Sequence, residues 1–428
     1  MKIEISEDDS NYMYQIIQKV IDECGPRMPC SSQEARAAEI IKKEFEKVCD
    51  DASIETFSCQ PRAFLGFIKI EVVLVLASFL IIFLIPYNLM NYWTEIACFI
   101  SFCLNIVSFI ILWNEFLNYR EFVDPLFKTK ISQNVIGTIK PTGEKKKILI
   151  FSGHHDSALQ FNLLWHLKIG YPIIIFVGLG VMLLWLVISA IIFLLSIVGL
   201  FFYDKFFLFG AILFFIGIPA LIGLFLFTSP GEKANKVPGA VDNLSAVAVV
   251  LEIGNYLKKH KQFILKDTEI RLISFGCEEA GLRGAYRYVE KHHEELKDNN
   301  SVCINMDAIQ SLNDISIVDF EPSTRTRHSK MVAEKITNAA KLAEIEIKTS
   351  ALGGSSLLEK IIGQISGGTD ATAFSKAGIN AINISAMNLR KMLQFYHQPT
   401  DTPDKIEKGT LEDVLKICLG YIIIESKK

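Results

Sequence analysis

The sequence has little net charge and lacks any closely spaced cysteine pair. Lysine and arginine number 44 against 47 aspartate and glutamate residues, so the formal net charge is only -3. The short basic runs at 145–147 and 258–261 are typical of a turn and a helix end, and we expect no nucleic-acid partner. The nine cysteines form no Cys-x-x-Cys motif and their number is odd, which favours free thiols in a reducing compartment.

The sequence also lacks internal repeats and low-complexity tracts, which argues against a solenoid or a disordered chain. Its first ten residues are acidic, and no apolar stretch follows them. We therefore expect no N-terminal signal peptide.

Long apolar segments are abundant, by contrast. Half of the residues are hydrophobic, and four segments stand out at 67–87, 96–113, 171–202 and 206–227. About 20 apolar residues cross a bilayer. Three of the segments contain no charged residue, and the first contains only Lys69 and Glu71, at its beginning. Because the turns within each pair are short, we predict four transmembrane helices in two inserted hairpins, and a lipid bilayer as a partner.

Outside these hairpins, apolar strand-like segments alternate with segments of helical periodicity. This alternation predicts an α/β fold with a mixed, mostly parallel sheet and helices on both faces. The predicted division assigns 1–62, 119–158 and 233–428 to this domain, the last being its main part, and 63–118 and 159–232 to the two hairpins.

Several histidines and carboxylates lie near the predicted strand ends. Taken singly they have ordinary explanations: Asp242 could cap a helix, and Glu278 with Glu279 could form an acidic turn. In an open α/β sheet, however, the loops beyond the carboxyl ends of the strands converge on one crevice. The candidates that would meet there are His154, Asp242, Glu278, Glu279, Asp307 and His397.

Imidazole nitrogens and carboxylate oxygens are ligands that suit zinc. Five such ligands, with one carboxylate bridging, can hold two metal ions about 3.5–4 Å apart. One further carboxylate must stay off the metals to accept a proton from water. The adjacent pair Glu278 and Glu279 offers both roles, since neighbours at a strand end point in different directions.

Five motifs occur in an order that resembles metallopeptidase family 28: "SGHHDS", "GAVDNLS", "SFGCEEAGLRGA", "INMDAI" and "YHQPTDTPD". That family includes co-catalytic zinc aminopeptidases, glutamate carboxypeptidase relatives and glutaminyl cyclases. The resemblance is loose over 11–59 and closer from 134 onwards, with the hairpins excluded. Val241 stands where many members have an acidic residue, and Ala246 replaces the usual glycine, but no ligand position is lost.

The resemblance implies a role for each matching residue. Two zinc ions per chain would be bound, with Asp242 bridging them, by His154, Asp242, Glu279, Asp307 and His397. Glu278 would be the general base, and Tyr396 would stabilise the oxyanion. Asp156 would support His154, and Asp401 would orient His397 through its second nitrogen. Asp370, in "SGGTDATAF", lies in a segment that resembles a loop closing over the substrate, and its role is left open.

These observations predict a membrane-anchored di-zinc exopeptidase, most simply an aminopeptidase, in which a metal-bound hydroxide attacks the peptide substrate. Two alternatives remain: a glutaminyl-cyclase-like zinc acyltransferase, and a non-enzymatic membrane receptor or scaffold. The complete ligand set argues against the second. A transporter is less favoured, because Lys69 and Glu71 lie at one end of their segment rather than in the middle of the membrane.

The distribution of basic residues predicts the orientation. Lysine and arginine near the ends of the segments favour the cytoplasmic side. The turns within the hairpins offer only Lys205. The domain side carries eight basic residues near the segments, namely Arg62, Lys69, Arg120, Lys128, Lys130, Lys168, Lys233 and Lys236. We therefore expect a multi-pass protein of the cell membrane with its catalytic domain and both termini in the cytoplasm.

Overall fold

The chain forms two compact units. The computed structural model describes residues 3–84, 92–198, 203–351, 363 and 367–426. An α/β unit comprises Met1–Pro61, Thr129–Gln160 and Pro230–Lys428, and a helical unit comprises Arg62–Lys128 and Phe161–Ser229. Residues 119–128, which the sequence analysis placed with the α/β domain, group with the helices.

The helices and strands follow the chain in this order. The helices are α1 (Glu7–Cys24), α2 (Ser32–Val48), α3 (Ala63–Phe83), α4 (Tyr92–Asn118), α5 (Asn162–Leu167), α6 (Tyr171–Ile197), α7 (Tyr203–Phe225), α8 (Ser245–Lys259), α9 (Arg283–Asp298), α10 (Lys330–Leu342), α11 (Ala371–Lys376), α12 (Leu389–Met392) and α13 (Thr410–Ser426). The strands are β1 (Asp51–Cys59), β2 (Lys130–Ile139), β3 (Lys147–His154), β4 (Thr268–Phe275), β5 (Val302–Ile309), β6 (Ser316–Glu321), β7 (Thr326–Arg327), β8 (Lys348–Ala351) and β9 (Asn380–Ala386).

One mixed sheet organises the α/β unit. Its strand order is β1-β2-β4-β3-β5-β9-β6-β7, with β8 paired to β6. The strands in the middle, β4, β3, β5 and β9, are joined by parallel pairings. Antiparallel pairings occur on either side of them. The parallel strands therefore send their carboxyl ends to one edge, which is where a ligand crevice forms in such sheets.

The sheet carries a hydrophobic core on each face. Along β3, Leu149 and Phe151 belong to one core cluster, whereas Ile148 and Ile150 belong to the other. This alternation follows from the two-residue period of a strand, because every second side chain points to the same face. The mixed α/β fold with helices on both faces is confirmed.

Serine caps set the start of the first two helices. The Ser31 hydroxyl accepts the N–H of Glu34 at 3.1 Å, as expected for an N-cap. At α1, Ser6 and Asp9 form a reciprocal capping box. The helix therefore starts at Glu7, before its apolar periodicity begins, since the acidic first turn carries little apolar pattern.

Within the part of the chain that the structure describes, five helical segments are long and apolar enough to cross a membrane. Four lie in the helical unit, where the sequence predicted them, and 28–39% of their most apolar window is buried. The fifth, Ala240–Lys259, is 94% buried and belongs to the core of the α/β unit. Its apolar character is explained by packing within the protein. The connections at 85–91 and 199–202 lie outside the described residues. They include the first half of the predicted turn at 88–95, whereas the predicted turn at 203–205 is wrong, because these residues begin α7.

A polar cluster joins three helices of the helical unit. The amide nitrogen of Asn105 on α4 donates to Ser78 Oγ on α3 at 2.5 Å and lies 3.2 Å from Ser189 Oγ on α6. Trp185 Nε1 on α6 also donates to Ser78 Oγ, at 2.9 Å. The Ser101 hydroxyl oxygen on α4 lies 2.7 Å from the same Ser78 Oγ. In lipid, apolar helices gain no hydrophobic driving force from packing against one another. Hydrogen bonds between helices therefore contribute to their association there.

Candidate functional site

Three neighbouring parallel strands deliver the first group of candidate residues. His154 is the last residue of β3, Glu278 and Glu279 follow β4, and Asp307 lies near the end of β5. A bulge in the pairing of β5 with β9 falls between Asp307 and Ile309. Because these strands run the same way, the side chains meet at one edge of the sheet.

Two loops supply the remaining candidates. Asp242 lies just before α8, and the peptide bond that follows it is cis. His397 follows α12, with a φ of 50°. Asp401 links the two loops, because its Oδ1 accepts the N–H of Val241 at 2.7 Å and its Oδ2 accepts that of Asp242 at 3.3 Å.

The Asp242 carboxylate lies between two histidines. Its Oδ1 is 3.2 Å from His154 Nε2, and its Oδ2 is 3.3 Å from His397 Nε2. His397 Nε2 is also 3.4 Å from Glu279 Oε1. One oxygen of Asp242 therefore faces each histidine, which is the arrangement that a bridging carboxylate requires.

The ligand atoms of His154, Asp242 and Glu279 all lie within 4.8 Å of one another, and so do those of His154, Glu278 and Asp307. The structure thus brings together all five predicted ligands and the predicted base. Glu278 Oε2 is 3.7 Å from His154 Nε2. Distance alone does not separate the ligand from the base within the Glu278–Glu279 pair, and that assignment still follows from the resemblance.

The site concentrates buried negative charge. Burial, together with neighbouring carboxylates, raises the pKa values of Glu278, Glu279 and Asp307 well above their ordinary range. Burial also acts to raise the pKa of Asp242, but hydrogen bonds from His154 and His397 outweigh it and lower this pKa. Carboxylates packed in this way require a cation to remain ionised.

The donor set fits zinc. Glu279 Oε1 is buried and has no hydrogen-bond partner among the described residues. A buried carboxylate oxygen of this kind costs free energy unless a cation satisfies it. The surrounding atoms are imidazole nitrogens and carboxylate oxygens, which are zinc ligands in catalytic sites.

Asp156 orients the residues around it. Its Oδ1 accepts the N–H of Glu278 at 3.1 Å, and its Oδ2 accepts that of Glu279 at 3.0 Å. His154 Nδ1 lies 3.4 Å from the same Oδ1. One buried carboxylate therefore holds the first histidine and both adjacent glutamates, a wider role than the support of His154 that the sequence indicated.

Tyr396 and Asp401 lie beside His397 and Asp242. The ring of Tyr396 stacks on the His397 ring with a centroid separation of 3.8 Å. The hydrogen bonds of Asp401 described above run to the backbone at Asp242. Its expected role in orienting His397 stays a prediction, as does the oxyanion role of Tyr396.

Two further residues of the site were not assigned a role from the sequence. Both carboxylate oxygens of Asp370 are buried without a hydrogen-bond partner among the described residues, and burial raises its pKa to about 7. Arg27 is buried and donates to the carbonyl oxygens of His155 at 2.8 Å, Pro238 at 2.7 Å and Gly239 at 3.1 Å. The motif around Asp370 marked its position, but no local pattern marks Arg27, because its partners are backbone atoms.

Comparison with known proteins shows similarity to one peptidase family. Residues 227–422 match the model of peptidase family M28. Aminopeptidase YwaD of Bacillus subtilis (strain 168) is 29% identical over 193 residues, which cover 45% of this chain and 38% of that relative. The chain thus spans well under half the length of this curated relative.

Solved structures share the fold. The aminopeptidase from Aneurinibacillus sp. strain AM-1 aligns with a TM-score of 0.52 and 16% identity, over 97% of this chain and 93% of that chain. BSAP, a zinc aminopeptidase from Bacillus subtilis, aligns with a TM-score of 0.53 and 15% identity, over 97% and 95%. The glutaminyl cyclase of Fimbriiglobus ruber aligns with a TM-score of 0.54 and 12% identity, over 99% and 97%. The chain is therefore similar to peptidase family M28 over residues 227–422, and it shares the fold of the solved aminopeptidases and glutaminyl cyclase.

Proposed function

We propose that this protein is a membrane-anchored di-zinc exopeptidase and that its activity is that of an aminopeptidase. The observation that carries the proposal is the position of Asp242, with one carboxylate oxygen facing His154 and the other facing His397. The similarity of this chain to Aminopeptidase YwaD and to the zinc aminopeptidase BSAP supports the same activity and metal.

The chain would hold the two metals through the residues already brought together. His154 and Asp307 would bind one zinc, His397 and Glu279 the other, and Asp242 both. When bound, such a pair of ions makes water a stronger acid and stabilises negative charge on the substrate carbonyl oxygen.

The remaining residues position groups or move protons. Glu278 would accept the proton of the attacking water at its carboxylate and deliver it to the leaving amine. Asp156 holds the backbone of Glu278, so the base is fixed relative to His154. Tyr396 would donate its hydroxyl proton in a hydrogen bond to the developing oxyanion.

A digest of a peptide library by the purified full-length protein in detergent tests this proposal. We expect release of single residues from free amino termini, no release from N-acetylated peptides, and loss of activity with a zinc chelator that added zinc restores. Release from carboxyl termini would contradict the aminopeptidase assignment. Intact peptides with a cyclised N-terminal glutamine would instead identify a cyclase.

We further propose that the helices of the helical unit cross the cell membrane and that the α/β unit faces the cytoplasm. Exposed apolar side chains on the four long helices support the first part, among them Leu80, Ile173, Leu194 and Phe215. The excess of basic residues on the domain side supports the second.

Single added cysteines at Asn91 and Lys427, both outside the described residues, test the orientation. On intact cells, an impermeant thiol reagent should label the Asn91→Cys variant more strongly than the wild-type chain. It should label the Lys427→Cys variant no more strongly than the wild-type chain. Labelling of Lys427→Cys instead would overturn the cytoplasmic placement.

A further inference from the structure

Three cysteines that are far apart in the sequence meet in the α/β unit. The sulfur of Cys30 lies 3.4 Å from that of Cys59 and 3.4 Å from that of Cys277, and the last two are 3.5 Å apart. Cys30 precedes α2, Cys59 ends β1, and Cys277 follows β4. The three sulfurs therefore form a nearly equilateral triangle built from three separate segments.

The segments that carry two of these cysteines are held by one buried carboxylate. Glu34 Oε2 accepts the N–H of Cys30 at 2.7 Å, and Glu34 Oε1 accepts that of Cys277 at 2.9 Å. The Ser132 hydroxyl also donates to Oε1, at 2.9 Å. The triangle is thus fixed by a built framework rather than by loose packing of small side chains.

The backbone at two of the corners is strained. Cys30 has a φ of 58° and Cys277 a φ of 53°. Such values cost free energy for a residue other than glycine, and they cluster at functional sites. The third corner, Cys59, is buried, with 1% of its surface exposed.

We propose that Cys30, Cys59 and Cys277 form a second, separate metal site that binds one zinc ion through three thiolates. Zinc bonds sulfur at about 2.3 Å with tetrahedral geometry, which sets adjacent sulfurs about 3.8 Å apart. The sulfur–sulfur separations need to lengthen by only roughly 0.3–0.4 Å to reach that spacing. Cys30 is partly exposed, so water can take the fourth position on its side.

Sulfur chemistry separates this site from the catalytic centre. The predicted catalytic ligands are nitrogen and oxygen atoms, whereas three thiolates select soft or borderline ions. Cys277 directly precedes Glu278, so an ion here would hold the segment that leads to the proposed base. The inference stands independently of the proposed peptidase activity.

Cobalt substitution tests the site, because only thiolate ligands produce an intense near-ultraviolet charge-transfer band with cobalt(II). The full-length protein is produced in cobalt-supplemented medium and purified under reducing conditions. We expect this band in the wild-type protein and in Asp242→Ala, which removes the bridging catalytic ligand. Cys59→Ser and Cys30→Ser should each lose it, and zinc-loaded Cys59→Ser should hold one zinc fewer per chain than the wild type.

Cys49→Ser is the matched control, since Cys49 is a partly buried cysteine of the same unit outside the triangle, and its band should equal that of the wild type. Absence of the band from the wild type would overturn the proposal, as would its persistence in both Cys59→Ser and Cys30→Ser. Loss of the band in Asp242→Ala would show that the two sites are not separate. If the wild-type chain lacked the band and a thiol titration also found two thiols fewer than its cysteines supply, two of the three cysteines would form a disulfide instead of a metal site.

Discussion

Buried polar side chains converge into possible metal-binding groups in the α/β unit, whereas those of the helical unit include a cluster of hydroxyl and amide groups that bond to one another. In the α/β unit, Glu279 and Asp370 bury carboxylate oxygens that have no hydrogen-bond partner among the described residues. In the helical unit, the buried hydroxyls of Ser78 and Ser101 bond to each other and the amide nitrogen of Asn105 bonds to Ser78. Several unsatisfied carboxylates that meet at one place indicate a missing cation, whereas groups that bond to one another contribute to packing.

The helical unit also contains buried polar atoms of this kind. Glu71 Oε1, Asn105 Oδ1 and Ser229 Oγ are buried and have no hydrogen-bond partner among the described residues. Among the described residues, the groups of side chains that could hold a metal ion include none of these three. The comparison therefore depends on several unsatisfied groups meeting at one place, as they do around Asp242.

The two units also differ in how they use apolar helices. The α8 segment of the α/β unit and the α6 segment of the helical unit both meet the length and hydropathy of a membrane span. The first is 94% buried in protein and the second only 39%. Hydropathy identifies a helix that avoids water, but burial decides whether protein or lipid covers it.

The largest expected effect comes from removing the proposed base in the α/β unit. Glu278→Gln keeps the shape of the side chain but cannot accept the proton of water, so turnover should fall about 10²–10⁴-fold. Bound zinc and thermal stability should match those of the wild type. Steady-state kinetics and metal analysis check both, with Glu290→Gln on the exposed side of α9 as the control. Wild-type turnover in Glu278→Gln would remove the residue from the mechanism.

A smaller effect is expected at Asp156, which touches the site only through its neighbours. In Asp156→Asn one acceptor oxygen becomes a donor and faces a backbone N–H of Glu278 or Glu279. Loss of such an orienting group typically costs about 10–100-fold in metal affinity or activity. Zinc-buffer titration should show weaker binding, whereas the exposed Asp298→Asn should not. Unchanged zinc affinity would contradict the orienting role.

The smallest effect is expected in the helical unit. Asn105→Leu removes hydrogen bonds to Ser78 and Ser189, and bonds of this kind in lipid contribute about 0.6 kcal/mol on average. Thermal unfolding in detergent should shift down by a few degrees at most, with kcat unchanged. The control is Val107→Leu, an exposed position on the same helix. A large loss of peptidase activity in Asn105→Leu would break the distinction between the two units.

Much of the fold and of the candidate site could be predicted from sequence because their signals are local. The four long apolar segments, the alternating strands and the motifs around His154, Asp242, Glu279, Asp307 and His397 are contiguous or follow a short period. Periodicity identifies an element, and parallel strand ends converge, so the predicted ligands were expected to meet. What these patterns miss is where α1 starts, because its first turn is acidic and capped by Ser6.

The sequence by itself determined which side chains are available as ligands and which segments cannot remain in water. Only the tertiary structure decided that Asp242 lies between two histidines, that Arg27 binds backbone carbonyls 128 or more residues away, and that Cys30, Cys59 and Cys277 meet. These contacts have no local pattern, because they depend on strand order and on positive φ values at residues such as Cys277 and His397. Such distances are set by the packing of the whole unit, in which every segment constrains the others.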